Sequence, residues 1–382
     1  MLTKKKILLF TDWYEPGFKA GGPIRSCRNF VAAMEDEYDI YIVTSDRDLG
    51  DPGPYPGIRV DTWTTKEQHT RVWYTAVKNL GPALVRRLAD EVKPDYVYLN
   101  SMYSFPFTLI PLWLKFRGRL PAATVLAPRG MLQAGALQFK TAKKKLLIKL
   151  LNMAGMPGKL IFHATDEQEK EDIRLHFPKA QKIAVLPNFP KMDPVEWKPL
   201  AKRSGELRCV FLSRLAPKKN LLFLLNVLKE FPAGNLLHLT LRGDIEEVSY
   251  WEKCLSAIGE LPSHISVSYE GPVPNEEVIG VLQQQHLFVL PTLGENFGHA
   301  IFEAFLAGLP VLISDKTPWR QLEGKKLGHD LPLDPSAFGR SLLFFAAMDQ
   351  ESYKEWSGAA LAYARSIQQD DSLKMEYKKL FA

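Results

Sequence analysis

The stretch GENFGHAIFEAFLAGLPVLIS, residues 294–314, carries two glutamates eight positions apart. The pattern predicts a strand just before it and a helix within it, from near Gly298 to Gly308, where glycine ends the helix. Glu295 then lies on the loop before the helix, and Glu303 lies inside the helix. Because the first amides of a helix have no intrahelical partner, its start is a good anion site between the two glutamates.

The same alternation of strand and helix runs along the whole chain. Short apolar runs without polar alternation are typical of parallel strands covered on both faces. The predicted strands are Lys6–Phe10, Asp39–Thr44, Tyr96–Leu99, Ala123–Ala127, Lys159–Ala164, Lys182–Leu186, Leu207–Leu212, Leu237–Arg242, Ile265–Glu270, Leu287–Leu290 and Val311–Ser314. The predicted helices are Ser26–Met34, Tyr74–Val92, Lys140–Ala154, Asn220–Phe231, Glu276–Gln284, His299–Ala307 and Glu351–Phe381. This order predicts doubly wound α/β sheets.

A proline-rich segment, PNFPKMDPVEWKP at 187–199, interrupts the pattern, which then restarts. We therefore expect two Rossmann-like domains, one at 1–188 and one at 189–362. A last helical segment at 363–382 closes the second domain or crosses back to the first. Ligands of doubly wound sheets bind at the carboxyl ends of the strands, so we expect the site in a cleft between the domains.

The composition is that of a globular protein, with 382 residues, 46% hydrophobic and 24% charged. A net charge of +6 does not by itself indicate nucleic-acid binding, and it fits an anionic ligand or an anionic membrane surface. The three scattered cysteines favour a reducing cytosol over a disulfide framework or a zinc site. The apolar run Ile7–Phe10 is too short for a signal core, and no apolar run approaches the roughly 18 residues that span a bilayer.

Two further segments carry groups that suit a phosphate. SRLAPKKN at 213–220 places Arg214 and Lys219 between a predicted strand and a helix, where two cations suit a diphosphate. GFKAGGPIRS at 17–26 contains Gly21 and Gly22, which would let backbone amides approach a phosphate or sugar. The alternatives are a solvated basic loop and a plain flexible turn.

Together these segments resemble the retaining glycosyltransferases of family 4, the group 1 glycosyltransferases with the GT-B fold. SRLAPKKN, LRGD, EGPVPNEEV and ENFGHAIFEAFLAGLPV follow one another as the corresponding motifs do in that family. The resemblance is strong over about 200–320. It is moderate over 1–190, where it rests on the glycine loop, APRGML at 127–132 and Leu-Pro-Asn at 186–188. It implies two doubly wound domains that face each other across a cleft, with 1–188 on the acceptor side and 189–362 binding the nucleotide sugar.

The resemblance also implies roles for individual residues. Arg214 and Lys219 would hold the donor diphosphate and stabilise the charge that develops on it. Glu295 would bind hydroxyls of the donor sugar and Glu303 those of the ribose. Arg129 stands where many relatives have a histidine, and it would contact the donor or an anionic acceptor. The other implied donor-binding residues are Gly21, Gly22, Gly243, Val273, Phe297, Gly298 and His299.

The implied activity is transfer of a hexose from a nucleotide-diphosphate donor to a hydroxyl with retained configuration. The acceptor would be a lipid-linked or polysaccharide intermediate of cell-surface glycan synthesis, and no cofactor, metal or nucleic acid is expected. The enzyme would be cytoplasmic and peripheral on the inner face of the membrane. The alternatives are a nucleotide-sugar epimerase or hydrolase on the same fold and a non-catalytic sugar-nucleotide-binding subunit. Replacement of Lys219 by alanine should abolish transfer and leave the thermal midpoint nearly unchanged.

Three more features have competing interpretations. Asp46 and Asp48 match a metal motif of the other glycosyltransferase fold, but the predicted metal-free chemistry argues against that role. His163 fits a hydrogen-bonded core residue better than a ligand. The basic, apolar-rich helix at 139–155 is either an outer helix packed on the sheet or a contact for an anionic membrane or a diphosphate-lipid acceptor. In that helix Thr141, Lys145, Lys149 and Asn152 form one stripe, and Phe139, Leu146 and Leu150 lie opposite.

Overall fold

The computed structural model describes residues 4–133 and 141–382. The chain divides into two units, each built on one sheet. The first unit consists of Met1–Phe189 and Asp371–Ala382, and the second of Pro190–Asp370.

The sheet of the first unit has the order β3-β4-β2-β1-β5-β6-β7-β8. Its strands are β1 (Lys5–Phe10), β2 (Tyr38–Ser45), β3 (Trp63–Glu67), β4 (Thr70–Thr75), β5 (Tyr96–Leu99), β6 (Ala123–Leu126), β7 (Ile161–Ala164) and β8 (Lys182–Val185). All neighbours pair in parallel except β3 and β4, which are antiparallel. Its helices include α1 (Gly22–Met34), α2 (Pro82–Val92), α3 (Ile110–Phe116), α4 (Thr141–Met153) and α5 (Glu167–His176). The strand residues Ile7, Leu8, Leu9 and Phe10 are fully buried, as expected for a central strand covered on both faces.

The sheet of the second unit is parallel throughout. Its strands are β9 (Glu206–Leu212), β10 (Leu236–Arg242), β11 (Ile265–Tyr269), β12 (Leu287–Leu290), β13 (Val311–Ser314) and β14 (Gly328–Leu331). The helices of this unit are α6 (Leu221–Lys229), α7 (Val248–Gly259), α8 (Val278–Leu282), α9 (His299–Leu306), α10 (Pro335–Ala347) and α11 (Gln350–Gln368). The order β11-β10-β9-β12-β13-β14 reverses at β9 and β12, which is the switch point where doubly wound sheets bind ligands.

The last helix, α12 (Ser372–Leu380), belongs to the first unit. Phe381 is fully buried there against the rings of Phe30 and Tyr98, and the Tyr377 hydroxyl donates to the carbonyl of Pro187 at 3.0 Å. The segment therefore crosses back rather than closing the second unit. The expected boundary at residue 362 falls inside α11, and the chain passes between the units at residues 370 and 371.

Each predicted strand is present, but β3, β4 and β14 were not predicted. The helix predicted from Tyr74 was wrong at its start, because Tyr74 lies in β4 and α2 begins at Pro82. The sequence TRVWYT at 70–75 is β-branched and aromatic, which favours a strand, and Pro82 is a suitable first helical residue.

In the described ranges, no helix is long and apolar enough to cross a membrane.

Candidate functional site

The two main motifs of the sequence meet at the switch point of the second unit. β9 and β12 are parallel neighbours, so their carboxyl ends lie side by side. The loop after β12 is tied to the turn after β9, because the amide of Leu293 donates to the carbonyl of Lys218 at 2.8 Å. The hydroxyl of Thr292 donates to the same carbonyl at 3.2 Å. These bonds fix the loop that carries Glu295 beside the turn that carries Lys219.

Lys219 and Glu295 form an ion pair across this junction, although 76 residues separate them in the sequence. The two side chains are only 15% and 14% exposed, so the pair is largely removed from water. The sequence predicted that each would contact a different part of the donor. The structure adds a direct contact between them, which holds the ammonium group at the strand ends.

Arg214 also follows the carboxyl end of β9, but it pairs with a different carboxylate. Its Nη1 lies 2.9 Å from Oε2 of Glu246, and both side chains are about two-fifths exposed. The loops that carry them run together, since the amide of Glu246 donates to the carbonyl of Leu215. Glu246 was missed by the sequence analysis, because only the pairing of these loops brings it near. A guanidinium has several N–H donors, so one ion pair uses only part of its capacity to bind an anion.

Gly243 allows the loops after β9 and β10 to approach each other closely. Its φ is +139°, and a Cβ atom there would lie 2.0 Å from the carbonyl oxygen of Ser213. The close packing of these two loops therefore requires a glycine at position 243, in addition to its implied place in the donor site. On the next loop, the side chain of Val273 is buried in the core of the unit, which leaves its backbone as the part that can contact a ligand.

The start of α9 has the geometry that the sequence predicted. Gly298 precedes it with φ +77°, and a Cβ atom there would lie 2.8 Å from Cδ1 of Ile301. The ring of Phe297 packs on His299 at 4.8 Å and on Trp319 at 5.4 Å between centroids. The indole Nε1 of Trp319 also donates to the carbonyl of Phe297. Trp319, which the sequence analysis missed, thus helps to fix the backbone at the start of the helix.

Glu303 is not a surface charge of α9. Its residue exposure is 3%, and His299, one turn before it on the same face, is also buried. A buried carboxylate is costly unless it is hydrogen-bonded, and it can accept the paired hydrogen bonds of a diol. The burial of Glu303 therefore distinguishes it from the solvated glutamates of an ordinary amphipathic helix.

In the first unit, Gly21 and Gly22 lie at the start of α1. Gly21 has φ +66°, and a Cβ atom on either glycine would meet no atom within 4 Å. The preceding turn is anchored by Asp48, whose Oδ2 accepts from the amides of Phe18 and Lys19 at 2.7 and 3.0 Å. The glycines are therefore accessible on a turn of fixed geometry, which suits close approach of a ligand to the backbone.

The Asp-x-Asp pair has structural partners. Asp48 anchors the glycine turn, and Asp46 forms an ion pair with Arg47 at 2.8 Å. Both aspartates are buried. Across the described residues, no cluster of three or more histidine, cysteine, aspartate or glutamate side chains could hold a metal.

Arg129 is engaged within the first unit. Its Nη2 donates to Oδ1 of Asn100 at 2.7 Å and to the hydroxyl of Tyr98 at 2.8 Å, and its Nη1 donates to Oδ1 of Asn188. This network favours a role in positioning the loops after β5, β6 and β8 over the direct contact with the donor or an anionic acceptor that the resemblance implied. His163 is a hydrogen-bonded core residue as predicted, bonded to Tyr98 and to the carbonyl of Leu186.

Comparison with known proteins identifies the fold. The chain is similar over 98% of its length to Anabaena HepE in complex with UDP and glucose, with 99% of that chain covered, 16% identity and a TM-score of 0.68. It is similar over 99% of its length to the sucrose-phosphate synthase of Thermosynechococcus elongatus, with 98% of that chain covered, 15% identity and a TM-score of 0.69. The fold is GT-B. The residues gathered at the switch point thus belong to the second sheet unit of a GT-B chain.

The sequence match is centred on this GT-B unit. Residues 194–325 match the family model of Glycosyl transferases group 1, and this range contains Arg214, Lys219, Glu295 and Glu303. The chain is also 26% identical over 225 residues to the O-antigen chain mannosyltransferase B of Escherichia coli. That match covers 56% of each protein, so it spans about half the length of this curated relative.

Proposed function

We propose that this GT-B chain is a retaining glycosyltransferase of family 4, which transfers a hexose from a nucleotide-diphosphate donor to a hydroxyl. The Lys219–Glu295 ion pair carries the proposal, because it places a cation at the joined carboxyl ends of β9 and β12. Arg214 follows the same strand, and the start of α9 follows the neighbouring one. The UDP and glucose in HepE and the names of the two other relatives support a nucleotide donor and a hexosyl group.

The chemistry follows from where negative charge develops. As the bond between the sugar and the diphosphate breaks, its electron pair goes to the phosphate oxygen. Lys219, Arg214 and the amides at the start of α9 would stabilise that oxygen and its neighbours. The departing phosphate takes the proton of the acceptor hydroxyl as the new bond forms on the same face of the sugar. No side chain needs to act as nucleophile.

The two glutamates would act at opposite ends of the donor. Glu295 would accept hydrogen bonds from sugar hydroxyls and, through its ion pair, hold the Lys219 ammonium in place. Glu303, buried in α9, would accept those of the ribose diol. The resemblance also assigns Gly21 and Gly22 to the diphosphate, and the backbone at Val273 would meet the base.

The acceptor we propose is a lipid-linked or polysaccharide intermediate of cell-surface glycan synthesis. The similarity to an O-antigen chain mannosyltransferase supports this choice. Such an acceptor implies a cytoplasmic enzyme that binds peripherally to the inner face of the membrane, and the basic helix α4 would supply that contact.

A thermal-shift panel of UDP-, GDP- and ADP-hexoses tests the donor site. We expect one donor class to raise the midpoint in wild type and to do so much less in the Lys219→Ala variant. No shift with any member of the panel would refute the donor assignment.

Turnover then separates the three activities. A transferase should consume donor only with an acceptor and yield a product whose anomeric configuration, read by NMR, matches the donor. Consumption without an acceptor would support an epimerase or hydrolase, and binding without turnover would support a non-catalytic subunit.

A further inference from the structure

The first unit contains an apolar groove on the side of α2, α3 and α4. Its volume is about 450 Å³, and its lining is apolar throughout. Phe105, Trp113 and Phe116 contribute from the turn at 105–109 and from α3, and Leu147 and Leu150 contribute from α4. None of the residues assigned to the donor lines it. The groove is large enough for part of a small ligand, and none of its described lining residues has a polar side chain to orient one.

The rim of the groove exposes large apolar side chains. Phe105 is 70% exposed, and Trp113, Phe116 and Leu150 are each about half exposed. On α4 the apolar surface continues beyond the groove through Met153, which is 73% exposed. A contiguous patch of this kind, with aromatic residues at its edge, indicates a docking surface rather than scattered exposure.

The sequence around the groove is entirely free of acidic residues. Between Asp95 and Asp166 the chain contains ten lysines and arginines and no aspartate or glutamate. The excess of positive charge in this segment is larger than the net charge of the whole protein, which is +6. The segment supplies every groove-lining residue except Pro82. The apolar patch is therefore set in the most basic part of the chain.

Several of these cations are exposed on the helices that line the groove or directly after them. Lys143, Lys145 and Lys149 are exposed on α4, and Arg119 is exposed after α3. The guanidinium of Arg117 lies over the ring of Trp113, with 5.8 Å to the centroid. Apolar and cationic groups thus alternate on one surface, as they do in helices that lie in a membrane interface. The sequence predicted Leu146 and Leu150 opposite the stripe of Lys145 and Lys149, but Leu146 lies three positions before Lys149, only about 60° around the helix. The two lysines therefore border the exposed apolar side chains of α4, and Phe139 lies outside the described residues.

We propose that this surface docks on an anionic phospholipid bilayer, with a lipid hydrocarbon chain in the groove and lipid phosphates against the lysines and arginines. Charge complementarity selects this occupant, because anionic headgroups attract clustered cations. A second copy of the chain would bring the same cations against each other. The inference rests on the proposed membrane-associated function, and it adds the site and the lipid chemistry that would carry it.

Co-sedimentation of the full chain with vesicles tests the charge requirement. We expect little binding to phosphatidylcholine and strong binding when phosphatidylglycerol is included, with loss of binding at high salt. The Lys145→Glu/Lys149→Glu variant should bind at least about tenfold more weakly, since each basic residue near an anionic surface contributes about fivefold. The matched control is Lys179→Glu/Lys182→Glu, which reverses two exposed lysines elsewhere in the same unit and should bind like wild type.

A second pair of variants, one test and one control, examines whether vesicle binding needs the exposed apolar side chains. Met153 on α4 and Leu175 on α5 are both 73% exposed on helices of the first unit. Met153→Glu should weaken vesicle binding several-fold, and Leu175→Glu should not. Brominated lipid chains should quench part of the tryptophan emission of wild type, and that part should be missing in Trp113→Phe.

The outcomes separate this inference from the proposed function. Equal binding to neutral and anionic vesicles, or equal effects of a variant and its control, would overturn the docking surface. A dimer in light scattering that Met153→Glu abolishes, without vesicle binding, would also overturn it and assign the groove to a second copy. Nucleotide-sugar thermal shifts report on the second unit, so they should persist in all these variants, and their absence in wild type would refute only the donor site.

Discussion

Breaking the Lys219–Glu295 pair should affect both catalysis and stability. Truncation of an exposed ion pair costs about 0–1 kcal/mol, whereas removal of one partner of a fully buried pair costs about 3–5 kcal/mol. With side chains 15% and 14% exposed, the pair lies between these limits, and we expect Lys219→Ala to cost about 2 kcal/mol. The thermal midpoint of a domain of this size should then fall by about 4–8 °C. The near-intact midpoint expected from the sequence is therefore revised.

A double-mutant cycle isolates the ion pair from the rest of the site. Glu295→Gln keeps the shape of the side chain and removes its charge, so it should lower the midpoint as well. The double variant should lose less than the sum of the two single losses, because each single change leaves an unpaired group. The matched control is Lys229→Ala in α6, whose partner Glu260 is 60% exposed, and it should change stability by less than about 0.5 kcal/mol.

Turnover is measured on the same variants with saturating donor. Lys219→Ala should lower kcat by about 10²–10³-fold, because it removes one group that stabilises the charge developing on the phosphate. Lys229→Ala should keep wild-type turnover. Near-wild-type turnover in Lys219→Ala would refute the catalytic role, and additive losses of stability in the cycle would refute the coupling of the two side chains.

Gly243→Ala should abolish binding of the nucleoside diphosphate that the thermal-shift panel selects, because its Cβ would collide with a backbone carbonyl. Gly280→Ala, where a Cβ meets no atom within 4 Å, should keep that binding in calorimetry. Burial lowers the pKa of His163 from 6.5 to about 3, so between these values the unfolded chain binds a proton that the folded chain does not. Stability should therefore fall as the pH drops through this window, by up to about 1.4 kcal/mol per pH unit, and His163→Gln should flatten the slope in urea unfolding. Phe381→Ala should cost about 3–5 kcal/mol in chemical denaturation, because it empties a fully buried position of the first unit.

The central strands and the site loops were predictable because their signals are local. Apolar runs such as Leu207–Leu212 and Leu287–Leu290 mark buried parallel strands. The residues that follow each strand must then lie at its carboxyl end. That rule alone places Arg214, Lys219 and Glu295 at one edge of a sheet, and it needs no knowledge of which strands are neighbours.

The contacts and elements that were not predicted from the sequence depend on pairing between distant segments of the chain. Glu246 becomes the partner of Arg214 only because the loops after β9 and β10 run together, and Trp319 reaches Phe297 from beyond β13. The hairpin of β3 and β4 packs at the edge of its sheet, so its pattern lacks the continuous apolar run of a central strand. The return of α12 is decided by the buried contacts of Phe381, which no local pattern reveals.

The two glutamates of the stretch at 294–314 illustrate the same limit within one motif. From the sequence they differ only in position, one on a loop and one in a helix. The structure separates them by environment, since Glu295 is neutralised by Lys219 and Glu303 is buried in a helix whose other residues pack in the core. Glu295→Gln should therefore weaken binding of the diphosphate as well as of the sugar, because Lys219 loses the ion pair that holds it in place. Glu303→Gln leaves that ion pair intact and should weaken binding of the nucleoside diphosphate itself. Calorimetry on both variants distinguishes the two roles, with the donor that the thermal-shift panel selects and with its nucleoside diphosphate alone. The same loss of affinity for both ligands in both variants would contradict their separation.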